Sequence, residues 1–397
     1  MTRRLSHAET QAFWRGIRLG CHCEGQSPEA ISVCTSECEA RPHTSKARSA
    51  DLTAQSAATS HLIFYITSMV SSSSTYRRVF VLGSGFSKSF LPSMPTLKDL
   101  NALIPDGIPD EFPHFKEYCE RFLGLCNGQR EYLGIEQLAT SILSARIFPG
   151  ERDRLYRATL RFELLRFIAS VIRRDEIVKG EASFILKNFL KSCANHTASG
   201  ERETLLLSFN YDTLIETAIA NYPELSEQIS VDYGVRIEPA DRSARRVSAP
   251  QTVDLIKLHG SLNWFPVKGA TDELDLKNVC QVEPQDRSFP IYSEDTPIYI
   301  PMAHAKESFL RGSLFNLLWS RADYYLAHAR EIIFVGYGFP KSDVNNLEFL
   351  LKHRDRFKTA VIFEKEGTPD LERLRALLGK DIVVDCDAKE YLKSTCG

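Results

Sequence analysis

A glycine-rich turn placed directly after a short apolar run most constrains what this chain can fold into. Residues 79–89 read Val-Phe-Val-Leu-Gly-Ser-Gly-Phe-Ser-Lys-Ser. The apolar run Val79–Leu82 is typical of a strand buried on both faces, as in a parallel sheet. Gly83 and Gly85 end the run and permit a tight turn and the close approach of a ligand. Ser87 is predicted to cap the following helix, so that strand, turn and helix start would form a phosphate cradle.

Taken alone, this turn fits two structures. Lys88 stands where the Gly-x-Gly-x-x-Gly fingerprint has its third glycine, so an ordinary β-to-α turn is the alternative to a nucleotide site. The choice between them depends on the residues at the ends of the later strands.

The second predicted strand, Thr204–Phe209, ends in two polar residues. Asn210 and Asp212 come directly after it, before the pattern turns helical. Open α/β sheets bind ligands at such strand ends. Both residues also favour helix N-caps, which is the structural alternative for each of them.

A histidine comes after the third apolar run, Val253–Leu258. His259 is succeeded by a glycine, and at a strand end it could present its imidazole to a cleft and move a proton near neutral pH. The alternative is a buried structural histidine. Trp264 would wall the same cleft or fill the core.

Two more strands complete the predicted sheet. The first is followed by Gly336 and Gly338, a second Gly-x-Gly turn, after which Ser342 and Asp343 could cap a helix. The second ends at Glu364, which could meet a ribose hydroxyl or be a solvated strand end. Further predicted elements are a strand near Pro297–Ile300 and a helix over Ser313–Ala329, together with the two strands Glu331–Val335 and Thr359–Glu364.

Between the first two strands the pattern is helical, from about Leu97 to Ser192. Ile135–Ile147 and Leu155–Ile172 carry apolar residues at three- and four-residue spacing. Thr96, after a proline-containing loop, is a predicted N-cap. We therefore predict a helical insertion at about 97–195 within the sheet domain.

The first 68 residues differ from the rest. They lack core-like patterning and precede Ser68–Thr75, which is typical of a linker or a natural chain start. The pattern predicts a disordered tail or an over-extended reading frame over 1–68, and a folded part over 69–397 beginning near Met69. Four cysteines and two histidines in the tail could be drawn as a zinc site, but their spacing fits no common finger: Cys21, Cys23, Cys34, Cys38, His22 and His43.

Composition excludes several classes of protein. The 397 residues carry a formal net charge of -2, which does not suggest a nucleic-acid or anionic-membrane partner. No apolar run reaches transmembrane length. The 10 cysteines include no Cys-x-x-Cys pair and are typical of reduced cytosolic thiols. We expect a cytoplasmic protein with no bound metal.

The four strand-end motifs, in this order, resemble the sirtuin superfamily, and most closely the sirtuin-like NAD hydrolase domains of bacterial antiphage defence systems. The segments that carry the resemblance are Gly83–Ser87, Ser208–Leu214, Lys257–Ser261 and Gly336–Pro340. The resemblance implies an α/β fold, a Rossmann-like parallel sheet flanked by helices, with NAD bound across the strand ends.

By the same resemblance, the NAD-binding and catalytic residues can be assigned. Asn210 would orient the attacking group, His259 would be the base, and Asp212 would stabilise positive charge on the ribose, as bond cleavage with oxocarbenium character requires. The residues implied in binding NAD are Gly83, Ser84, Gly85, Phe86, Ser87, Gly336 and Gly338. Glu364 is a further candidate for binding NAD, from its position at the last strand end.

Two departures bear on the activity. Deacylating sirtuins follow the glycine turn with Ile-Pro-Asp-Phe-Arg, where this chain has Met94-Pro-Thr-Leu-Lys98, and their paired Cys-x-x-Cys zinc ribbon is absent here. Both favour hydrolysis of NAD itself, to nicotinamide and ADP-ribose. The resemblance to defence-system hydrolases implies a role in antiphage defence by NAD depletion. The alternatives are a protein deacylase or ADP-ribosyltransferase, and a non-catalytic nucleotide sensor. A homo-oligomer or a defence-system partner protein is compatible with each, as is NADP in place of NAD.

Overall fold

The computed structural model describes residues 76–396 with internal gaps. The gaps are 127, 129–133, 145–150, 173–176, 197–201, 241–248, 268–273, 283–295, 304–308, 310–311, 341–342 and 363–367. The predicted tail over 1–68 and its cysteines lie outside the described residues, as do Ser342 and Glu364.

The described strands form one large sheet and one small sheet. In chain order they are β1 (Tyr76–Leu82), β2 (Asn195–His196), β3 (Arg202–Ser208), β4 (Ile229–Asp232), β5 (Glu238–Pro239), β6 (Gln251–Lys257), β7 (Trp264–Pro266), β8 (Val279–Gln281), β9 (Glu331–Val335), β10 (Phe357–Ile362) and β11 (Val383–Asp385).

The described helices lie between and after these strands. They are α1 (Ser84–Phe90), α2 (Leu97–Ala102), α3 (Pro113–Leu125), α4 (Ile135–Leu143), α5 (Glu151–Ile172), α6 (Gly180–Cys193), α7 (Leu214–Asn221), α8 (Pro223–Ser226), α9 (Ser313–His328), α10 (Val344–Leu351), α11 (Pro369–Leu378) and α12 (Ala388–Cys396).

The large sheet has the order β11-β10-β9-β1-β3-β6-β2, with β4 also paired to β6. Its pairs are parallel except for the short β2–β6 pair. Helices flank the sheet: α9 contacts β1 and β6, and α6 contacts β3. The four central strands are almost wholly buried, as expected for a parallel sheet covered on both faces. The predicted fold class is confirmed.

Register places the ends of the four central strands side by side. Leu82 of β1 pairs with Val335 of β9 on one side and with Ser208 of β3 on the other. Ser208 in turn pairs with Lys257 of β6. Because these pairs are parallel, the segments after the four strands all leave the sheet at the same edge.

Helices α2 to α6 occupy the chain between β1 and β3, where the helical pattern was predicted. Helices α3 and α4 both pack against α5. The predicted helix Ile135–Ile147 ends at Leu143, and the residues after Ser144 lie outside the described part. The assignment of this region as an inserted module remains a prediction.

The prediction of a strand near Pro297–Ile300 is wrong, because this segment forms no regular strand. Tyr299 forms a single bridge to Gly260, and Ile300 donates its backbone N–H to the carbonyl of His259. Gly260 has φ +79°, a left-handed conformation that interrupts regular strand geometry. The segment is held by separate backbone hydrogen bonds, from Ser261 to Ile298 and from Ile298 to Trp264.

Helix α2 begins with a complete capping box, as the Thr96 prediction requires. Thr96 Oγ1 accepts from the N–H of Asp99, and the Asp99 carboxylate accepts from the N–H of Thr96. The same carboxylate pairs with Lys88 of α1. The cap therefore ties the loop after the glycine turn to α1.

Replacing Asp99 with Asn should destabilise the protein by about 0.5–1 kcal/mol near neutral pH, since one half of the capping box and an ion pair are weakened. The hydrogen bonds from Lys88 and Thr96 lower the pKa of Asp99 from 3.8 to about 2. Because the pKa of Asp99 is lower in the folded protein than in the unfolded chain, its carboxylate stabilises the fold at pH values above 3.8. That stabilisation disappears as the pH falls from 3.8 towards 2. Urea unfolding of both proteins across this range checks it; a difference that stays constant with pH would contradict the assignment.

Candidate functional site

The two Gly-x-Gly turns pack directly against each other at the strand-end edge. A Cβ on Gly83 would lie 2.5 Å from the carbonyl oxygen of Gly336, and a Cβ on Gly336 would lie 2.1 Å from the nitrogen of Phe86. Gly336 also has φ +64°, which favours glycine. These glycines therefore permit one turn to approach the other, whether or not a ligand is bound.

Most backbone donors of the first turn are already used within the protein. The N–H of Gly83 donates to Val335, that of Gly85 to Gly336, and that of Phe86 to Gly83. Gly83 and Phe86 are buried, whereas Ser84 is exposed and Gly85 half-buried. Any hydrogen bond from this turn to a phosphate would therefore come mainly from Ser84, while the half-buried Gly85 could only allow a ligand to approach closely.

Ser87 does not cap α1. The helix begins at Ser84 with Gly83 as N-cap, so Ser87 lies one turn inside it. Its side chain points instead to the neighbouring strand end, where Oγ donates to Asp212 Oδ2 at 2.8 Å. The buried hydroxyl therefore belongs to a polar group shared by two strand ends.

Asn210 completes that polar group. Its Nδ2 donates to the carbonyl of Gly83 at 2.8 Å and to Ser87 Oγ at 3.0 Å. These two bonds use both amide hydrogens and fix the amide plane. None of the hydrogen bonds between described residues uses Asn210 Oδ1, the acceptor atom that could orient a water or hydroxyl.

The cap interpretation holds in part for Asp212. Its Oδ1 accepts from the N–H of Leu214 at 3.1 Å, which satisfies one donor at the start of α7. Its other oxygen accepts from Ser87. Asp212 therefore serves the helix and the strand-end group together.

A small cavity lies beneath this group. Its volume of about 10 Å³ has room for about one water molecule. The polar residues that line it are Ser87, Ser208, Asn210, Asp212, Glu216 and Lys257.

His259 lies in the adjacent turn and is 6% exposed. Its Nε2 is 3.2 Å from Nδ2 of Asn346, on α10. An amide nitrogen can only donate, so Nε2 must be the unprotonated nitrogen of this imidazole. The amide orientation is itself set by Asp343, whose carboxylate accepts from the same Nδ2. The geometry thus holds His259 in a form with a lone pair at Nε2.

Asn346 is buried, at 1% exposure, and its Oδ1 has no hydrogen-bond partner among the described residues. Leaving a buried acceptor unsatisfied is unfavourable by about 1–3 kcal/mol. The amide thus offers an acceptor next to the nitrogen that would take a proton.

Aromatic rings enclose the imidazole. The ring centroids of Phe209, Tyr211 and Trp319 lie 5.2, 6.0 and 6.3 Å from that of His259. Burial, and then the Asp343 charge, raises the pKa of Tyr211 and of nearby Tyr337 well above the usual range. Both phenols therefore stay protonated at neutral pH, which leaves His259 as the group suited to accept a proton.

Trp264 is wholly buried in contact with Tyr233, so it fills the core and does not line a cleft. Gly338 is exposed, and a Cβ added to it would have no other atom within 4 Å. The structure thus places Asn210, Asp212 and Ser87 in one hydrogen-bonded group, His259 with Asn346 in a second, and Gly338 at the open rim.

Two residues of this region had no role predicted from the sequence. Asn346 is an interior helix residue three positions after its Asp343 cap, a spacing that carries no sign of the histidine 87 positions away. Lys257 ends a strand, where a lysine normally reaches solvent, yet it is 1% exposed. The one available signal for Lys257 is its position in the Lys-Leu-His-Gly-Ser motif.

A family model described as "SIR2-like domain" matches residues 204–383. The match includes Asn210, Asp212, His259 and the second Gly-x-Gly turn, and the first turn packs against it. This part of the chain is similar to SIR2-like domains, and the predicted resemblance to the sirtuin superfamily is confirmed. No curated protein matches the chain.

Several solved structures are similar in part. A structure titled as a Sir2 homolog–NAD complex has 17% identity and TM-score 0.37, covering 81% of this chain and 88% of its own. One from a study of the mechanism and regulation of Sir2 enzymes has 12% identity and TM-score 0.37, covering 82% and 92%. A Sir2 bound to acetylated peptide has 13% identity and TM-score 0.32, covering 81% and 92%. Because these TM-scores are low, the fold assignment rests on the sheet itself.

The described residues contain neither a membrane-spanning helix nor a cluster of metal-binding side chains. No helix among them is long and apolar enough to cross a membrane. Within the same residues, no cluster of three or more His, Cys, Asp or Glu side chains could hold a metal ion.

Proposed function

We propose that this protein is an NAD hydrolase that cleaves the bond between nicotinamide and ribose, releasing nicotinamide, ADP-ribose and a proton. The observation that supports it most is the juxtaposition of two polar strand ends within the SIR2-like part of the chain. One carries Asn210 and Asp212, and the adjacent strand carries His259.

The chemistry suits these residue types. As the nicotinamide leaves with the bonding electron pair, the ribose C1′ gains oxocarbenium character. The carboxylate of Asp212 would stabilise that charge. Asn210 Oδ1 would orient the water that attacks C1′, and His259 Nε2 would take the proton that the attack releases.

Asn346 acquires a role in this proposal. Its Nδ2 occupies the hydrogen-bonding position at Nε2 of His259 that a substrate hydroxyl or water would take. Its Oδ1 would accept a hydrogen bond from the same group. The amide would therefore hold the imidazole ready before substrate binds.

Recognition of NAD would depend on the accessible parts of the two glycine turns. Ser84 and Gly85 are the solvent-accessible residues of the first turn, and Gly338 is exposed in the second. Contacts of Gly83, Phe86 and Ser87 with NAD would be indirect, because their backbone or side chains are buried within the protein. That Glu364 contacts NAD remains a proposal, which rests only on its place at the end of a predicted strand.

The two departures from deacylating sirtuins favour free NAD as the substrate over an acylated peptide. The segment after the glycine turn, Met94–Lys98, lacks the Phe-Arg pair of that family, and the paired cysteines are absent. The resemblance to defence-system hydrolases further supports a cytoplasmic protein that depletes NAD during phage infection. An oligomer or a partner protein could control it.

Incubation of the purified protein with NAD alone should release nicotinamide and ADP-ribose in equal amounts. Chromatography of the products, with and without an acyl-lysine peptide, measures this. The peptide should not change the rate, because the proposed attacking group is water. Nicotinamide release that requires the peptide would identify a deacylase. NAD that is retained without any nicotinamide release would identify a sensor.

A further inference from the structure

A closed ring of buried hydrogen bonds lies behind the candidate site. Lys257 Nζ donates to Glu216 Oε1 at 3.0 Å and to Ser261 Oγ at 2.6 Å. Ser261 Oγ donates to Asn263 Oδ1 at 2.6 Å, and Asn263 Nδ2 donates to the hydroxyl of Tyr233 at 3.3 Å. The Tyr233 hydroxyl donates to the same Glu216 oxygen at 3.2 Å, which closes the ring.

All five side chains of the ring are buried: Lys257 1%, Glu216 5%, Ser261 0%, Asn263 4% and Tyr233 3% exposed. A buried ion pair of this kind contributes little net stability, because both charges lose their hydration. An apolar pair of similar volume would often be as stable or more so. Stability alone thus does not account for a lysine and a glutamate at this place.

The ring is connected to both strand-end turns. Lys257 Nζ also donates to the backbone carbonyl of Asp212 at 2.6 Å and lies 3.4 Å from that of Tyr211. Through Ser261 it holds the turn after β6, two residues beyond His259. One ammonium group therefore joins the turn of Asn210 and Asp212 to the turn of His259.

We propose that Lys257, charge-balanced by Glu216, is a positioning residue that sets the spacing between the Asn210–Asp212 turn and the His259 turn for catalysis. This inference rests on the proposed function, since it assigns the two turns one reaction. A displacement of about 1 Å between such groups can lower a rate by about a hundredfold.

The test is the double variant Lys257→Met with Glu216→Gln, in the full chain. Both charges are removed together, so no unpaired charge is left in the core, and the amide oxygen introduced by Glu216→Gln can still accept from Tyr233. We expect kcat for nicotinamide release to fall by on the order of ten- to a hundredfold. KM should change less than about threefold, because the lost interaction positions groups and does not bind NAD.

Tyr76→Phe is the matched control. Tyr76 is also buried and hydrogen-bonded, to Asp254, but it lies at the opposite end of the strands. We expect it to lower the melting temperature and leave kcat unchanged. A double variant that is folded and turns NAD over at a rate within about twofold of wild type would overturn the proposal.

Two further measurements decide the remaining outcomes. If the double variant does not fold, Ser261→Ala is measured in its place, because it keeps the charged pair and removes the link to the His259 turn. A reduced kcat of Ser261→Ala would support the proposal, and an unchanged kcat would overturn it. If the wild-type protein does not cleave NAD, the proposed function fails, and amide hydrogen exchange tests the positioning separately. Faster amide exchange over 210–212 and 259–261 in the double variant than in Tyr76→Phe would support the positioning role of Lys257. Equal exchange in the two variants would overturn it.

Discussion

Replacing His259 with Ala should reduce NAD cleavage by on the order of a hundredfold or more, the size expected when a general base is removed. Its Nε2 is held with a lone pair by Asn346, and no phenol beside it can replace it, since burial raises the pKa of Tyr211 and Tyr337. Nicotinamide release and melting temperature should be measured on the same samples.

His353→Ala is the matched control for this variant. His353 is also a buried histidine, 7% exposed, with Nε2 at 3.2 Å from Asp323, but it belongs to no strand end. It should lose stability and keep turnover. Wild-type turnover in a folded His259→Ala protein would remove the base assignment.

Asn210→Ala in the same assay should likewise lose most cleavage, since the fixed amide would no longer orient the attacking water. A purely structural role, through the hydrogen bonds of Asn210 to Gly83 and Ser87, predicts a loss of about 1 kcal/mol of stability with turnover intact. Reduced stability with intact turnover in Asn210→Ala would mean that Asn210 does not orient the water from which His259 takes the proton.

Asp254→Ala should destabilise the protein by about 3 kcal/mol, the largest stability effect we expect. Asp254 is 3% exposed and accepts from Tyr76 Oη at 2.8 Å, from Asn195 Nδ2 at 3.0 Å and from Arg202 Nη1 at 2.7 and 2.8 Å. Its removal takes this acceptor from a partly buried guanidinium and from three polar groups, on Tyr76, Asn195 and Thr252. Urea unfolding gives the change in free energy.

Asp110→Ala is the comparison for Asp254. Asp110 pairs with Lys116, but its side chain is 95% exposed, and exposed pairs contribute little because water screens them. Its unfolding midpoint should not move. An Asp254→Ala protein as stable as Asp110→Ala would mean that the buried network is dispensable.

The central sheet could be predicted because its signals are local. Each core strand is an apolar run that ends in glycine or in polar residues, and such short runs are typical of a strand covered on both faces. Parallel pairing then sets the register of Leu82, Ser208 and Lys257, and it brings the predicted motifs to one edge.

The features that could not be predicted depend on contacts between distant residues. Strand β4, Ile-Ser-Val-Asp, is too short and polar to stand out and is formed by pairing with β6. Asn346 gains its role only because α10 lies against His259. Serine is a residue type that favours helix N-caps, but α1 begins three residues before Ser87, and the Ser87 hydroxyl donates to Asp212 instead.

Hydrogen–deuterium exchange of the full chain with and without saturating ADP-ribose tests most directly whether the strand-end edge is the site of NAD cleavage. ADP-ribose is the proposed product, so it should occupy the site without being consumed. We predict slower amide exchange in the four turns after β1, β3, β6 and β9, around Ser84, Asn210, His259 and Gly338. Unchanged exchange in these turns, or protection confined to another part of the chain, would contradict the assignment.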